Sequence, residues 1–268
     1  MLKNRIITCK ICGLLYLEDY LKNRTEIYDE NYSIWGNVNK EEEMKVRESK
    51  ISNFDYLLKN LKQNGKGKKL LDVGTGRGYL LEAAKKRGFE CYGVELSKYT
   101  SKKAQEKFPG KIFNGKLENS NYPKEFFDII TLTDVIEHIT DPHTFFKEIK
   151  KILKKNGLIL ITTPNTESLT KKIMNENWFQ YKEEHVIYWN KKSLYFLMKK
   201  INFKIFLFKN NSKKLKFQYY NDYFKKYPSA VGKIFMVIFG VLPKFFKKKS
   251  FLNPLTGEIL VLAKNENQ

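Results

Sequence analysis

The segment LLDVGTGRGYL (Leu70–Leu80) constrains this chain more than any other. An apolar run leads straight into Gly74, Gly76 and Gly78, and a helical pattern starts at Tyr79. Glycine is needed where a backbone takes positive φ or lies close against a ligand. The helix start behind the glycines offers N–H groups that no helical carbonyl uses. The spacing is G-x-G-x-G, whereas a dinucleotide loop would place a glycine at Tyr79. Asp72 stands at the loop, where a carboxylate suits an ammonium group and repels a pyrophosphate. Glu95 closes the next apolar run, where an acidic side chain can take both hydroxyls of a ribose. A ligand with a ribose and an ammonium group but no phosphate fits this set. The other glycine-containing basic loop, NGKGKK (Asn64–Lys69), lacks the spacing and hydroxyl of a P-loop.

Around the loop, strands and helices alternate. A helix is expected from Met44 to Leu61, with apolar residues near 3.6 spacing. Strands are expected at Lys69–Val73, Cys91–Leu96, Lys111–Asn114, Phe127–Thr133 and Leu158–Thr163. The intervening helices run from Tyr79 to Arg87, from an N-cap at Ser97 to Phe108, and from Asp141-Pro142 to Leu153. Asn156-Gly157 is expected to end the last of these. After Pro164 the pattern loosens, with a short helix at Ser193–Lys200 and strands at Phe203–Phe208 and Gly257–Lys264. The fold class that follows is α/β, a Rossmann-like, seven-stranded, mostly parallel sheet with helices on both faces. Residues 1–45 read as a leader, 46–165 as the ligand-binding core, and 166–268 as an acceptor or cap region that also completes the sheet.

With the strand pattern in place, residues 46–165 resemble the class I S-adenosylmethionine-dependent methyltransferases. Asp72-Val73-Gly74-Thr75-Gly76-Arg77-Gly78 is similar to their first motif and Gly93-Val94-Glu95-Leu96 to their second. The resemblance continues through FDIITLTDVIEHITDP (Phe127–Pro142) and LKKNGLILITTPN (Leu153–Asn165). It implies S-adenosylmethionine as cofactor and methyl transfer as activity. It assigns the methionine end to Asp72 and to Gly74, Thr75, Gly76 and Gly78, with Tyr79 following. It gives the ribose diol to Glu95 and the adenine to Leu96 and the backbone near Leu117. Thr133 and Asp134 would border the transferred methyl group.

The chain has three histidines, His138, His143 and His185. His138, in DVIEHI, reads in three ways: as a general base, as a metal ligand, or with Glu137 as a brace of the strand–helix turn. The metal reading comes from a resemblance to quinone-pathway O-methyltransferases, which implies Asp134, Glu137 and His138 around a divalent ion. His143 follows a proline at a helix start and reads as a surface residue. His185 lies in WFQYKEEHVIYW (Trp178–Trp189), an aromatic stretch suited to an acceptor pocket wall, where it is either a base or a structural residue.

The formal net charge is +21, yet only five of the 50 basic residues are arginine. Base and phosphate recognition leans on the arginine fork, so dispersed lysine argues against a nucleic-acid partner. No Asn/Asp-Pro-Pro-Tyr/Phe tract follows the fourth strand either, as it tends to in nucleic-acid amino-methyltransferases. The three cysteines build no disulfide framework. Cys9 and Cys12 form one zinc knuckle, similar to the second half of a ribbon that begins many bacterial sugar methyltransferases, with a Tyr28–Tyr32 tract behind it. Two thiols cannot close a tetrahedral zinc site. No secretory pattern is present and no apolar run reaches the length of a bilayer span, so a cytoplasmic protein is expected. The apolar stretch Ala230–Pro243, flanked by lysines, suits either peripheral contact with an anionic membrane or packing on the protein. The reading that results is methyl transfer to a small or lipid-linked acceptor. A sugar of glycan or polysaccharide biosynthesis leads. A quinone or lipid O-methyltransferase with a divalent metal and a non-catalytic S-adenosylmethionine-binding protein are the alternatives.

Overall fold

Alternating apolar residues on buried strands need helices on both sides of a sheet, and the chain supplies them. A computed structural model describes residues 6–19, 40–61, 65, 67–182, 184–216, 250–253 and 255–266, with six isolated positions between 225 and 241. The Tyr28–Tyr32 tract and nine of the fourteen residues of Ala230–Pro243 lie outside the described residues. In chain order the strands are β1 (Ile6–Thr8), β2 (Leu15–Leu17), β3 (Lys69–Val73), β4 (Glu90–Glu95), β5 (Ile112–Asn114), β6 (Phe127–Thr133), β7 (Leu153–Pro164), β8 (Ile187–Tyr188), β9 (Phe203–Asn210), β10 (Lys213–Lys216), β11 (Ser250–Asn253) and β12 (Glu258–Asn265). The helices are α1 (Lys40–Leu58), α2 (Tyr79–Lys86), α3 (Lys98–Lys107), α4 (Pro142–Ile152), α5 (Leu169–Met174) and α6 (Lys191–Lys200).

The main sheet has seven strands in the order β5-β4-β3-β6-β7-β12-β9. β5, β4, β3, β6 and β7 pair in parallel, and β12 runs antiparallel between β7 and β9. The seven expected strands are these seven. Successive residues point to opposite faces. Leu71, Ile130, Leu132, Ile159 and Val261 join Phe146 and Ile149 of α4 and Leu194 of α6 on one side. Leu70, Ile129, Leu160 and Leu260 join Leu57 and Leu58 of α1 and Leu80 and Leu81 of α2 on the other.

The largest boundary differences from expectation fall on the first helix and on β7. The first helix begins earlier, at Lys40, and ends as α-helix at Leu58, with one 3-10 turn at Lys59–Leu61. α4 stops at Ile152, and Asn156-Gly157 does not end it. β7 starts at Leu153, and Asn156, at φ 61°, lies within it where its register against β6 slips. The aperiodic stretch after Pro164 holds α5 and β8, and β8 pairs with β2. The hairpin β1–β2 from the leader therefore belongs to a three-stranded sheet with a strand 170 residues further on, a pairing that local sequence does not announce. Leu17, Trp178 and Tyr188 form its small core.

Candidate active site

The carboxyl ends of the parallel strands are where an open α/β sheet binds ligands. β3 ends at Val73, and Gly74 turns the chain at φ 73°. A Cβ on Gly74 would stand 2.7 Å from Val135 Cγ2, so this turn requires glycine for space as well as for backbone angle. Glu95 crosses from the end of β4. Its Oε2 accepts the Gly76 amide at 2.7 Å and its Oε1 the Ser97 amide at 2.8 Å. Burial pushes the Glu95 carboxyl upward against these two bonds. The one residue expected to take the ribose diol is thus already drawn to the glycine loop, which was expected at the methionine end.

Asp72 is turned inward. It is 1% exposed, and its Oδ1 accepts from Thr131 Oγ1 at 2.7 Å. Desolvation raises its carboxyl to about 7. It braces the loop from beneath, where the sequence placed it facing the ligand. Tyr79 is likewise buried, with the Lys107 ammonium 4.6 Å from its ring centroid. Thr75 and Leu117 are buried, while Leu96 and Thr133 are half-buried beside the loop and at the end of β6. One clamp had no sequence signal. α1 is tied to the loop and α2 by Arg77–Glu43 (2.5 Å) and by an Arg47–Glu82 ion pair.

Beyond β6, Asp134 adopts φ 56°. Its Oδ2 faces Lys213 Nζ at 3.2 Å and its Oδ1 accepts from Thr162 Oγ1 at 3.3 Å. Desolvation opposes ionisation there, but Lys213, Lys50 and Lys182 outweigh it and hold Asp134 down to about 2. Lys213, on β10, also meets Glu258 Oε1 of β12 at 2.7 Å. Glu258 in turn accepts from Gln180 at 3.3 Å and Asn211 at 2.9 Å. None of Lys213, Glu258 or Gln180 was legible beforehand, because their partners are far off in sequence.

Glu137 and His138 follow in a single 3-10 turn, Ile136–His138. Glu137 is 1% exposed; its Oε2 accepts from Thr163 Oγ1 at 2.9 Å, and its Oε1 has no hydrogen-bond partner. Burial, then the charge of Asp134, lifts its carboxyl to about 8. His138 Nδ1 donates to the Glu184 carbonyl at 2.8 Å, and His185 Nδ1 to the Gln180 carbonyl at 2.9 Å. Both imidazoles are held below their ordinary range, chiefly by burial. His143 is exposed on α4, away from this group.

The structure thus brings together two residues that the sequence treated separately, His138 and His185. It does not bring Asp134 to Glu137 and His138 as the implied metal array requires. The carboxylate of Asp134 is committed to Lys213 and Thr162. Cys9 and Cys12 sit in the turn between β1 and β2, closed by Gly13 N–H to Cys9 O at 2.9 Å, and Cys91 is buried in β4. Among the described residues no further ligand approaches Cys9 and Cys12. The aromatic stretch is mostly core, with Trp178, Tyr188 and Trp189 buried. No described helix is long and apolar enough to cross a membrane.

Sheet order, glycine loop and Glu95 together define a class I S-adenosylmethionine-dependent methyltransferase fold. Residues 45–206, more than half of the chain, match the family described as Methyltransferase domain, and the chain belongs to that family. It is 33% identical over 127 residues to a ubiquinone biosynthesis O-methyltransferase of Pelagibacter ubique, covering 45% of this chain and 49% of that protein. A second protein so named, from Bradyrhizobium diazoefficiens, is 28% identical over 153 residues, covering 54% of this chain and 56% of its own. The chain spans about half the length of the curated relatives it matches. The fold is also that of an S-adenosylmethionine-dependent methyltransferase from Archaeoglobus fulgidus (TM-score 0.55, 20% identity, 80% of this chain and 94% of that one).

Proposed function

We propose that this chain transfers a methyl group from S-adenosylmethionine to an oxygen of a small phenolic acceptor. The observation that carries this reading is the group of Glu137, His138 and His185 beyond the carboxyl end of β6, beside Asp134. When bound, the cofactor supplies an electrophilic methyl on a sulfonium. The chain must orient the acceptor and draw off its proton. Glu95 and the Gly74–Gly78 loop bind the cofactor, and Leu96, Leu117 and Thr133 border it. Asp72 keeps the loop in shape.

The bases here are weak, because burial holds both imidazoles below the ordinary histidine value. A weak base suits an acidic hydroxyl such as a phenol, near 10 in tyrosine, better than the far less acidic alcohol of a sugar. The names of the curated relatives lean the same way. The glycan reading rests on the cysteine knuckle, for which the described residues supply no closing ligands. A lipid tail and contact with a membrane rest on Ala230–Pro243, most of which lies outside the described residues.

The test is formation of S-adenosylhomocysteine by the purified chain with phenol and catechol acceptors, set against nucleotide sugars. Turnover on the phenolic series is expected. It should fall about a hundredfold in His138→Gln while cofactor affinity holds. Turnover on nucleotide sugars alone would overturn the proposal.

A further inference from the structure

We infer that Cys9 and Cys12 are a dithiol redox site, which exchanges with a low-molecular-weight disulfide and closes to a disulfide across the turn between β1 and β2. Both thiols are free. They share the turn Cys9–Leu14, whose ends are joined by Cys9 N–H to the Leu14 carbonyl at 2.8 Å. Gly13 folds the turn back at φ 73°, and its N–H meets the Cys9 carbonyl at 2.9 Å. A Cys-x-x-Cys pair in so tight a turn is a spacing suited to thiol–disulfide exchange.

Three features of the surroundings support exchange chemistry. First, the backbone amides of Cys12 and Ile11 donate to the Cys9 sulfur, and so does the Cys12 thiol. The Lys192 ammonium adds positive charge from the start of α6. Donors and a cation at a sulfur favour its thiolate, the form that attacks a disulfide. Second, the two thiols differ in access. Cys9 is half-buried and open to a small reagent, whereas Cys12 is 7% exposed. Cys9 is therefore the attacking thiol and Cys12 the resolving one. Third, the hairpin has no other sulfur or imidazole to complete a zinc site. Cys91 is buried in β4, and the histidines stand at 138, 143 and 185.

The Cys9 thiolate attacks one sulfur of the reagent, forms a mixed disulfide and expels the first thiolate. Cys12 passes its proton to that thiolate, attacks the Cys9 sulfur and expels the second, which takes a proton from water in place of the one Cys9 released. Two protein thiols are thereby oxidised to one disulfide, and the reagent is reduced to two thiols. Closure stiffens a hairpin that reaches the carboxyl ends of the parallel strands. The Gly13 carbonyl accepts from Asn190 Nδ2 at 2.7 Å, and Asn190 caps α6 through the Ser193 amide at 2.7 Å. Leu17 N–H donates to the Val186 carbonyl at 3.0 Å, and Val186 N–H to the Glu137 carbonyl at 2.9 Å. The dithiol thus governs how firmly the segment carrying His185 is held down. Any effect on methyl transfer rests on the function proposed above; the thiol chemistry does not.

The test uses the full chain, reduced and then equilibrated in a series of oxidised and reduced glutathione. Intact mass should show reversible loss of two hydrogens, mapped by proteolysis to a Cys9–Cys12 bond, with Cys91 still a thiol. In the reduced chain at neutral pH, iodoacetamide should alkylate Cys9 at least about tenfold faster than Cys12. Cys12→Ser should stop at a glutathione adduct on Cys9, and Cys9→Ser should gain no adduct on Cys12. Oxidation should slow amide exchange at Leu17 and Val186 about threefold or more. A glutathione adduct on the parent chain that never closes would overturn the proposal, as would equal alkylation of the two thiols. So would zinc held by the chain as purified, with both thiols shielded from iodoacetamide. Unchanged exchange at both amides would overturn the grip on the His185 segment. Should the variants fail to fold, the mass and alkylation of the parent chain decide. An inert acceptor panel with reversible closure would refute the phenolic reading and leave this one standing.

Discussion

The imidazole of His185 stands edge-on to that of His138, ring centroids 4.9 Å apart and planes at 79°. Neither ring is near the other in sequence. The contact exists because the chain between α5 and β8 folds back over the turn after β6, where Val186 N–H donates to the Glu137 carbonyl at 2.9 Å.

This pairing makes the fold sensitive to acid. His185 is held well below 6.5 by burial and by the neighbouring His138. The unfolded chain therefore binds more protons than the folded one once the pH drops below about 6.5, and stability falls with it. Thermal unfolding should show this decline as the difference between the parent and His185→Gln below about pH 6.5, since the buried carboxyls oppose it. A difference that does not change with pH would show that the ring titrates as if exposed.

Two buried carboxyls act in the opposite direction. Asp72 is raised to about 7 and Glu137 to about 8. A group raised in the folded state favours folding at low pH, and that contribution disappears as the pH climbs through the folded value. Asp72→Asn should therefore unfold at a higher temperature than the parent at pH 8.5, without cofactor, and the difference should shrink toward pH 4. Equal midpoints at both pH values would refute the assignment.

Glu95→Gln keeps the shape and removes the charge from a carboxylate that accepts two backbone amides. Charge-assisted bonds are worth about 1.5–3 kcal/mol, so S-adenosylhomocysteine should bind about ten- to a hundredfold more weakly by calorimetry. Affinity within twofold of the parent would remove Glu95 from the cofactor site.

Gly74→Ala combines two costs. The residue sits at φ 73°, and the new methyl would meet Val135 Cγ2 at 2.7 Å. A loss of about 1–3 kcal/mol is expected, read as a drop in unfolding midpoint. Adding Val135→Ala should recover the steric share and leave the backbone share. No recovery would mean that the clash is not with Val135.

Lys213 separates Asp134 from Glu258, and Lys213→Met leaves two carboxylates facing each other. A loss of about 2–3 kcal/mol is expected, discounted from the fully buried case for partial exposure. Coupling Lys213→Met to Glu258→Gln in a denaturant series should return part of it. Strict additivity would show that the two groups do not interact.

The sheet was readable because its signals are local. Leu70–Val73, Phe127–Thr133 and Leu158–Thr163 are apolar runs bounded by turns, and Ser97 and Asp141 cap their helices by accepting from Thr100 and Thr144. The glycine loop and Glu95 were readable for the same reason, since G-x-G-x-G after a strand is a pattern within one supersecondary unit. Gly93 is legible only as part of the second motif, and the structure adds a spatial reason, since a Cβ there would stand 2.8 Å from Thr75 Cγ2. Lys213, Glu258 and Gln180 carried no signal, because lysine, glutamate and glutamine are ordinary surface residues until a partner is known.

The sequence alone determined the parallel sheet, the glycine turn at the end of β3 and the carboxylate of β4 that reaches it, because periodicity, glycine spacing and strand ends act over a few residues. The tertiary structure decided the rest. It turned Asp72 inward, gave Asp134 to Lys213 and set His185 against His138. These are choices among side chains 28 to 79 residues apart, made by how neighbouring strands and the segments after β7 meet at the strand ends. Burial then set their charges, since a carboxylate or imidazole titrates according to the neighbours it keeps.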